Sequence, residues 1–296
     1  MSQFRSGFVA LGGRPNVGKS TLLNALVGQK ISIVTPRPQT TRHRVIGIVN
    51  QPEAQIAFLD TPGLHSGESR ALNRAMNRTA AAALADADLI LFVVEALKWT
   101  HDDELALRRV REAQRPVIAV VNKVDRAKPR ERLLPFLAHL AAQHEFVEIV
   151  PISAAKSDNL GALRQCIVAA LPEGDAMFPP EQITDKGPRF RIAEMIREKL
   201  TLELVEEVPY GIAVEVEDLT EEEDGQMTAS VIIWVDRAGQ KPIVIGAQGE
   251  RLKRIGRQAR LELNRLFGQR FHLTLWVKVR EDWADDARAL KALGLE

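Results

Sequence analysis

Eight consecutive residues near the start of the chain, Gly13 to Ser20, have the spacing of a phosphate-binding loop. The run reads GRPNVGKS and fits G-x-x-x-x-G-K-[ST]. Glycines at the two fixed positions let the backbone approach an anion, and the loop amides and the following helix N-terminus point at it. Lys19 would contact the β- and γ-phosphates, and the Ser20 hydroxyl would ligate Mg²⁺. The sequence therefore predicts a nucleoside triphosphate site.

Two further stretches carry groups suited to the γ-phosphate and the metal. Residues 28–44 form a polar, proline-containing segment in which Thr40 or Thr41 would reach Mg²⁺ when the loop closes. Asp60 ends an apolar run, where a buried carboxylate is costly unless it is paired, and we expect it to hold Mg²⁺ through a water. Gly63, three residues later, would bring its amide to the γ-phosphate.

Two more motifs are suited to a guanine base. Asn122-Lys123-Val124-Asp125 follows the apolar run 116–121, at the edge of a parallel sheet where open α/β folds bind ligands. Asp125 can accept from N1–H and the 2-amino group of guanine, whereas adenine presents a lone pair at N1. Asn122 would brace neighbouring loops, and the Lys123 stem can cover the base. In the run Ile152-Ser153-Ala154, a backbone amide can donate to guanine O6.

The elements between these motifs alternate between apolar strands and helices, with one hairpin. This order predicts an α/β domain with a mostly parallel six-stranded sheet and helices on both faces. The predicted strands span 7–11, 44–50, 54–59, 88–94, 116–121 and 146–151. The predicted helices span 21–27, 70–85, 101–114 and 130–143.

The second half of the chain has the pattern of a separate nucleic-acid-binding domain. A proline- and glycine-rich linker at 174–188 follows the first domain, 1–173, and precedes a second, 189–296. The second domain reads α-β-β-α-α-β with a short C-terminal helix. Gly246-Ala247-Gln248-Gly249 separates two of its helices, and nine basic residues against two acidic lie between 237 and 270. A G-x-x-G loop between two helices in this order resembles that of a KH domain, and the resemblance implies that the loop clamps the backbone of about four single-stranded nucleotides.

Composition limits the remaining possibilities. The 296 residues carry a net charge of +1, so a nucleic-acid surface requires a local concentration of basic groups. The one cysteine, Cys166, cannot form an internal disulfide and suits a reducing cytosol. We find no apolar signal core in the first residues and expect no membrane-spanning segment.

The motifs together resemble the P-loop GTPases over about the first 175 residues. In Ras-like members a glutamine follows the D-x-x-G motif and orients water, whereas Leu64 stands here and cannot do so. The sequence resembles the subclass with a hydrophobic residue at that position. In part of that subclass an asparagine of the phosphate loop helps to hold K⁺, and Asn16 matches it. No evident general base is present, so slow intrinsic hydrolysis is expected.

Over the whole chain the sequence resembles the Era family, in which such a GTPase domain precedes a KH domain. The shared features include the switch-loop sequence QTTRHR from Gln39 to Arg44. The resemblance implies a ribosome-biogenesis factor that binds 16S rRNA of the 30S subunit near its 3′ end. It also implies a monomer in the cytoplasm with peripheral association to the inner face of the cell membrane.

The site residues follow from these motifs and this resemblance. We expect catalytic roles for Lys19, Asn16, Thr41 and Gly63, and metal binding by Ser20, Thr41 and Asp60. Nucleotide contacts are expected from Gly13, Arg14, Pro15, Asn16, Val17, Gly18, Lys19, Ser20, Thr21, Asp60, Thr61, Pro62, Gly63, Leu64, Asn122, Lys123, Val124, Asp125, Ser153 and Ala154. RNA contacts are expected from Ile243, Ile245, Gly246, Ala247, Gln248, Gly249, Arg251, Lys253, Arg254 and Arg257.

The sequence leaves three hypotheses of function open. In the first, GTP orders the switch loops, changes how the RNA-binding domain docks, and hydrolysis resets the switch. In the second, the chain is mainly an RNA-binding module whose nucleotide site stabilises the fold. The third, an ATPase with an RNA tether, is disfavoured by Asp125.

Overall fold

The computed structural model describes residues 4–63, 70–204 and 208–295, which divide into two compact units. The first unit contains most residues up to Asp185, and the second contains Ile33–Thr40, Ser69–Leu72 and everything from Lys186. Leu64, one of the expected nucleotide contacts, lies outside the described residues.

The first unit is an α/β layer structure, as the strand and helix pattern predicts. Its described strands form one sheet in the order β2-β3-β1-β4-β5-β6, in which only the β2–β3 pair is antiparallel. The strands are β1 (Arg5–Gly12), β2 (Val45–Asn50), β3 (Ala54–Asp60), β4 (Leu89–Glu95), β5 (Val117–Asn122) and β6 (Glu148–Pro151). The helices are α1 (Lys19–Val27), α2 (Ala71–Asp86), α3 (His101–Glu112), α4 (Leu133–Ala141) and α5 (Leu160–Ala170).

Continuous apolar runs form the centre of this sheet because helices cover both of its faces. All residues of β5 and all but the last of β4 are buried, with Phe92 among the largest fully buried side chains. Because β1, β3, β4 and β5 run parallel, the carboxyl ends of β1, β3 and β5 lie at one edge of the sheet. The phosphate loop, Asp60 and Asn122 lie at this edge.

The segment predicted as a linker is hydrogen-bonded to the first unit as far as Asp185. Its anchor is Gln55, a fully buried side chain in β3. The Gln55 Oε1 atom accepts from the amides of Met177 (2.6 Å) and Phe178 (2.9 Å), and Nε2 donates to the Phe178 carbonyl (2.8 Å). The Phe178 ring packs edge-on against Phe8 at 6.2 Å. A buried amide with its polar atoms satisfied fixes this segment in place.

The second unit is α+β and has the predicted α-β-β-α-α-β order. In the described residues its sheet runs β7-β8-β9, with β7–β8 antiparallel and β8–β9 parallel. The elements are α6 (Pro188–Glu203), β7 (Ile212–Glu221), β8 (Met227–Val235), α7 (Gln240–Ile245), α8 (Glu250–Phe267), β9 (Phe271–Val279) and α9 (Ala287–Ala292).

Helix α8 is amphipathic and packs its apolar stripe on the sheet. Ile255, Ala259 and Leu263, spaced four apart, are buried in the core of the second unit. The opposite face carries the basic residues identified from the sequence. The last helix begins at Ala287, because the Asp286 side chain accepts from the Arg288 amide and caps the first turn.

Candidate functional site

The phosphate loop adopts a conformation that only glycine can take at two positions. Gly13 has φ 141°, and a Cβ there would lie 2.4 Å from the Val93 carbonyl oxygen. Gly18 has φ 102°, and a Cβ there would lie 2.4 Å from Nδ2 of Asn122. Both positions combine a left-handed backbone with a close neighbour, so the sequence motif has a steric cause.

Lys19 lies at the first turn of α1 and points back into the phosphate loop. Its Nζ donates to the carbonyls of Gly13 (2.9 Å) and Arg14 (3.0 Å). Burial lowers the pKa of Lys19 to about 8, opposed by the charge of Asp60. An ammonium in this position is poorly solvated, so an anion at the loop would be a favourable partner.

Three oxygen-bearing side chains meet beside Lys19, as predicted for a metal site. The Ser20 hydroxyl lies 2.9 Å from the Thr41 hydroxyl and donates to Oδ2 of Asp60 at 2.8 Å. Asp60 is fully buried, and its Oδ1 atom has no hydrogen-bond partner among the described protein atoms. Burial raises the pKa of Asp60, an effect that the hydrogen bond from Ser20 partly offsets. Hard oxygen donors around an orphaned buried carboxylate oxygen fit Mg²⁺.

The choice between the two threonines follows from the same contacts. Thr41 faces Ser20, whereas the Thr40 hydroxyl pairs with the Thr35 hydroxyl (2.6 Å) and donates to the Arg37 carbonyl (2.7 Å). Of the two, Thr41 is therefore the threonine whose hydroxyl lies beside Ser20 and Asp60. Gly63 also lies near the phosphate loop, because a Cβ there would be 2.8 Å from Cα of Pro15.

The base-recognition motif is braced as expected. Asn122 donates to the Val17 carbonyl at 2.9 Å and accepts from the amides of Lys123 (2.8 Å) and Ala154 (3.0 Å). It thereby ties the phosphate loop to both base motifs. The Asp125 side chain is exposed, with Oδ1 accepting from the Ser153 hydroxyl at 2.6 Å. The carboxylate is thus oriented at the open end of the site.

A second candidate site is a groove of about 490 Å³ beside the G-x-x-G loop of the second unit. Gly246 (φ 75°), Gln248 (φ 49°) and Gly249 (φ 78°) all have left-handed backbone, so the loop turns sharply into α8. The groove is lined by residues of this loop, of α8 and of β9: Gly249, Leu252, Lys253, Gly256, Arg257, Arg260, His272, Leu273 and Leu275. Basic groups along an apolar floor suit a single-stranded backbone and its bases.

The two isoleucines expected to contact RNA lie in α7, which ends just before the glycine loop. Ile243 is 42% exposed and Ile245 packs partly buried against the core of the second unit, and their contacts with RNA remain predictions. The apolar lining of the groove comes from Leu252, Leu273 and Leu275.

Two of the predicted basic contacts are engaged within the second unit. Arg254 forms a two-pronged pair with Glu203 (3.0 and 2.7 Å), and Arg251 donates to the Ile243 carbonyl. The hydrogen bond from Arg254 lowers the pKa of Glu203. Lys253 and Arg257 line the groove directly. The RNA contacts expected in the second unit remain predictions, as do the roles of the individual residues expected to bind nucleotide or metal in the first.

Known protein families match parts of both units. Residues 8–123 match the model of the 50S ribosome-binding GTPase family, and residues 207–284 match that of the KH domain. The chain is 50% identical to GTPase Era of Marinobacter nauticus, over 98% of this chain and 95% of that protein. It is 51% identical to GTPase Era of Xanthomonas oryzae pv. oryzae, over 100% and 98%. The chain belongs to the Era GTPase family.

Solved Era structures have the same fold over nearly the whole length. A variant of Aquifex aeolicus Era bound to GDP·AlF₄⁻ is 42% identical with a TM-score of 0.95, covering 99% of both chains. Era in complex with MgGDPNP and nucleotides 1506–1542 of 16S ribosomal RNA gives the same values. The fold class predicted from the sequence, a P-loop GTPase domain followed by a KH domain, is confirmed.

Two acidic residues of this Era-family site were not identified from the sequence. Glu95 ends β4 and Asp103 lies in the first turn of α3, and both form ion pairs with Arg14 of the phosphate loop. The sequence signal for Asp103 was Thr100 three residues earlier, since the two form a capping box. No helix among the described residues has the length and hydropathy to cross a membrane.

Proposed function

We propose that this chain binds GTP with Mg²⁺, hydrolyses it to GDP and phosphate, and binds the 3′-terminal region of 16S rRNA during 30S subunit maturation. The observation that carries the nucleotide half is the convergence of Lys19, Ser20, Thr41 and Asp60 at one sheet edge with Asp125. The RNA half is supported by the basic groove and by the Era complex that contains a 16S rRNA fragment.

The residues of the site divide the work of hydrolysis among them. Mg²⁺, when bound, would neutralise charge on the β- and γ-phosphates. Ser20 and Thr41 would ligate it directly and Asp60 through a water, while Lys19 and the amide of Gly63 stabilise the γ-phosphate oxygens. Water attacks the γ-phosphorus in line, and the bond to the β-phosphate oxygen breaks. Leu64 supplies no hydrogen bond to that water, so we expect slow turnover without an activating partner.

We also propose that K⁺ stimulates hydrolysis through Asn16. The residue lies in the phosphate loop with φ 64°, a left-handed backbone that asparagine tolerates. A monovalent cation beside the phosphates would offset the charge that develops in the transition state, the role of an arginine finger in other GTPases. The test compares turnover in KCl and NaCl for the wild-type protein and Asn16→Ala. Equal rates in both salts for the wild type would refute this part.

The positions of two adjacent threonines favour the hypothesis of a GTP-dependent switch over that of an RNA-binding module with a structural nucleotide site. Thr41 belongs to the first unit and contacts Ser20, whereas Thr40 belongs to the second, where its carbonyl accepts from Arg197 of α6. Within the second unit Arg37 donates to the carbonyls of Thr201 (3.1 Å) and Leu204 (2.6 Å). A shift of Thr41 on metal binding would therefore pull on a segment held by α6.

The experiment measures affinity for a 3′-terminal 16S rRNA fragment with GDP and with a non-hydrolysable GTP analogue. Because binding free energies couple reciprocally, a switch requires different affinities in the two states. We expect Arg197→Gln to bring the two affinities closer together. Arg189→Gln is the control, since Arg189 lies on the same helix but donates to the carbonyls of Val216 and Glu217. Equal wild-type affinities would favour the module with a structural nucleotide site.

The cellular setting is proposed on the family resemblance. We propose a cytoplasmic monomer that associates with the 30S subunit and peripherally with the inner face of the cell membrane. Co-sedimentation with purified 30S subunits and flotation with anionic vesicles test the two associations separately. Absence of the protein from the 30S fraction under both nucleotides would contradict the proposed partner.

A further inference from the structure

The segment from the end of β4 to the start of α3 contributes two carboxylates that none of the recognised nucleotide-binding motifs contains. We propose that Glu95 is a positioning residue for guanine nucleotide binding. It holds Lys123 of the base motif against the phosphate loop, while Asp103 anchors Arg14 of that loop. The two halves of the nucleotide site are thereby fixed at their working separation before the ligand arrives.

Glu95 is shared between the two halves of the site. Its Oε2 atom lies 2.8 Å from Nζ of Lys123 and 3.4 Å from a terminal guanidinium nitrogen of Arg14. Burial alone would raise the pKa of Glu95, but the hydrogen bond from Lys123 and the charges of Lys123 and Arg14 bring it below its ordinary value. The carboxylate is therefore ionised at neutral pH and attracts both cations.

Asp103 binds a second nitrogen of the Arg14 guanidinium group. Its Oδ2 atom accepts from Nε of Arg14 (2.9 Å), from the Thr100 amide (2.9 Å) and from the Thr100 hydroxyl (2.7 Å). The Asp103 side chain is fully buried and that of Arg14 is 9% exposed. A buried charge pair fixed by a helix cap has little freedom, so the phosphate loop is anchored to α3.

Lys123 completes the connection. Besides Glu95, its Nζ donates to the Asn16 carbonyl at 2.8 Å. Lys123 and Asn16 both have φ 64°, so each end of this contact is a left-handed residue that neighbouring contacts must hold in place. The shared carboxylate supplies such a contact, because it limits where the Lys123 ammonium can lie.

The consequence for binding is preorganisation. A ligand that spans both halves pays less ordering entropy when the base motif and the phosphate loop are already at the correct distance. Loss of the connection should therefore show mainly as faster release of nucleotide. We expect Glu95→Gln to speed GDP release about tenfold, the loss typical of one charge-assisted hydrogen bond. The KM for GTP should rise more than kcat falls, since Glu95 contacts none of the reacting atoms.

The test is a double-mutant cycle in the full chain, read by the release rate of fluorescently labelled GDP. If Glu95 acts through Lys123, Glu95→Gln should have little effect in a Lys123→Gln background. Glu95→Asp, which keeps the charge, should restore part of the slow release. Glu112→Gln is the matched control, because Glu112 also pairs with an arginine (Arg109, 3.0 Å) but is exposed on α3.

Two results would overturn the proposal. One is a GDP release rate for Glu95→Gln equal to that of the wild type or of Glu112→Gln. The other is full additivity of the Glu95 and Lys123 effects, which would mean that Glu95 acts independently of the base motif. A variant that lost RNA binding and thermal stability together with nucleotide binding would show a general structural role instead, and would also count against it.

Discussion

The Ser153 hydroxyl donates a hydrogen bond of 2.6 Å to Oδ1 of Asp125, joining the two base-recognition motifs. The bond fixes one oxygen of the carboxylate, and the Asp125 residue is exposed. Since a carboxylate accepts from both N1–H and the 2-amino group of guanine, this pair orients the group that discriminates between bases.

Asp125→Asn should exchange guanine preference for xanthine preference. An amide donates to the xanthine 2-oxo group where the carboxylate accepts from the guanine amino group. We expect GTP affinity to fall by about 100-fold or more, because a site built for hydrogen bonding rejects a mismatched partner strongly. Competition binding with GDP and XDP measures the exchange. Unchanged GTP selectivity would contradict the assignment of Asp125.

Replacing Lys19 should remove nucleotide binding and change how stability depends on pH. Burial lowers the pKa of Lys19 to about 8 from 10.5, so the folded state releases this proton before the unfolded state does. The unfolded state binds more protons between these values, and the free energy of unfolding therefore gains a positive slope with pH. Relative to Lys19→Met, the wild type should gain on the order of 3 kcal/mol between pH 8 and 10.5.

Denaturant titrations of both nucleotide-free proteins at pH 7.5, 9 and 10.5 provide this comparison. Lys98→Met, which removes a lysine at an exposed position of the same unit, serves as the control. A constant difference between wild type and Lys19→Met across this range would refute the depressed pKa. Retained GDP affinity in Lys19→Met would argue against the role of the phosphate loop.

Gly249→Asp should weaken RNA binding without unfolding the second unit. Space around this glycine is open, but its backbone is left-handed (φ 78°), so aspartate, one of the residues that tolerates this conformation best, should cost on the order of 1 kcal/mol of stability. A carboxylate at the loop would repel the RNA backbone, and we expect about a tenfold loss of affinity. Gly249→Asn is the neutral control and should lose less, since asparagine tolerates φ 78°.

Gly246→Asp is a less informative change because a Cβ there would lie 2.7 Å from Cβ of Arg251. The measurement for the Gly249 variants is RNA affinity by fluorescence anisotropy, with GTP hydrolysis followed in parallel. Equal affinities for Gly249→Asp and the wild type would remove the loop from the RNA site.

Gln55→Leu should destabilise the first unit by about 2–4 kcal/mol. The leucine fills similar volume but leaves the Met177 and Phe178 amides without their acceptor, and buried unpaired groups cost 1–3 kcal/mol each. Thermal unfolding measures the loss, and limited proteolysis between 174 and 185 should become faster. The exposed Gln165→Leu is the control. Equal melting temperatures would show that the segment is held by other contacts.

The nucleotide site was largely predictable because it is built from short motifs, and the residues within each motif are neighbours in sequence. Each motif lies at a strand end, and parallel pairing brings strand ends together. The choice between Thr40 and Thr41 was not predictable, since both are hydroxyls in one loop and only the contacts of Ser20 and Thr35 separate them. Glu95 was missed for a different reason. Its partners, Arg14 and Lys123, are distant from it in sequence, so no local pattern marks it.

The RNA groove was less predictable because it is built by a non-local pairing. The G-x-x-G loop and the basic face of α8 were visible as a pattern. His272, Leu273 and Leu275 enter the groove only because β9 pairs in parallel with β8 and returns beneath α8. Ile243 and Ile245 were expected to contact RNA because they precede the loop in sequence, and that expectation stays a prediction.

The parallel pairing of β9 with β8 also affects the order in which the protein matures during synthesis. The described strands of the first unit are all translated by Pro151, so its sheet can assemble while the ribosome is still translating the second unit. The groove needs Phe271–Val279 as one wall, and those residues are translated late. A nascent chain would therefore acquire its nucleotide pocket first and its affinity for RNA only near the end of translation.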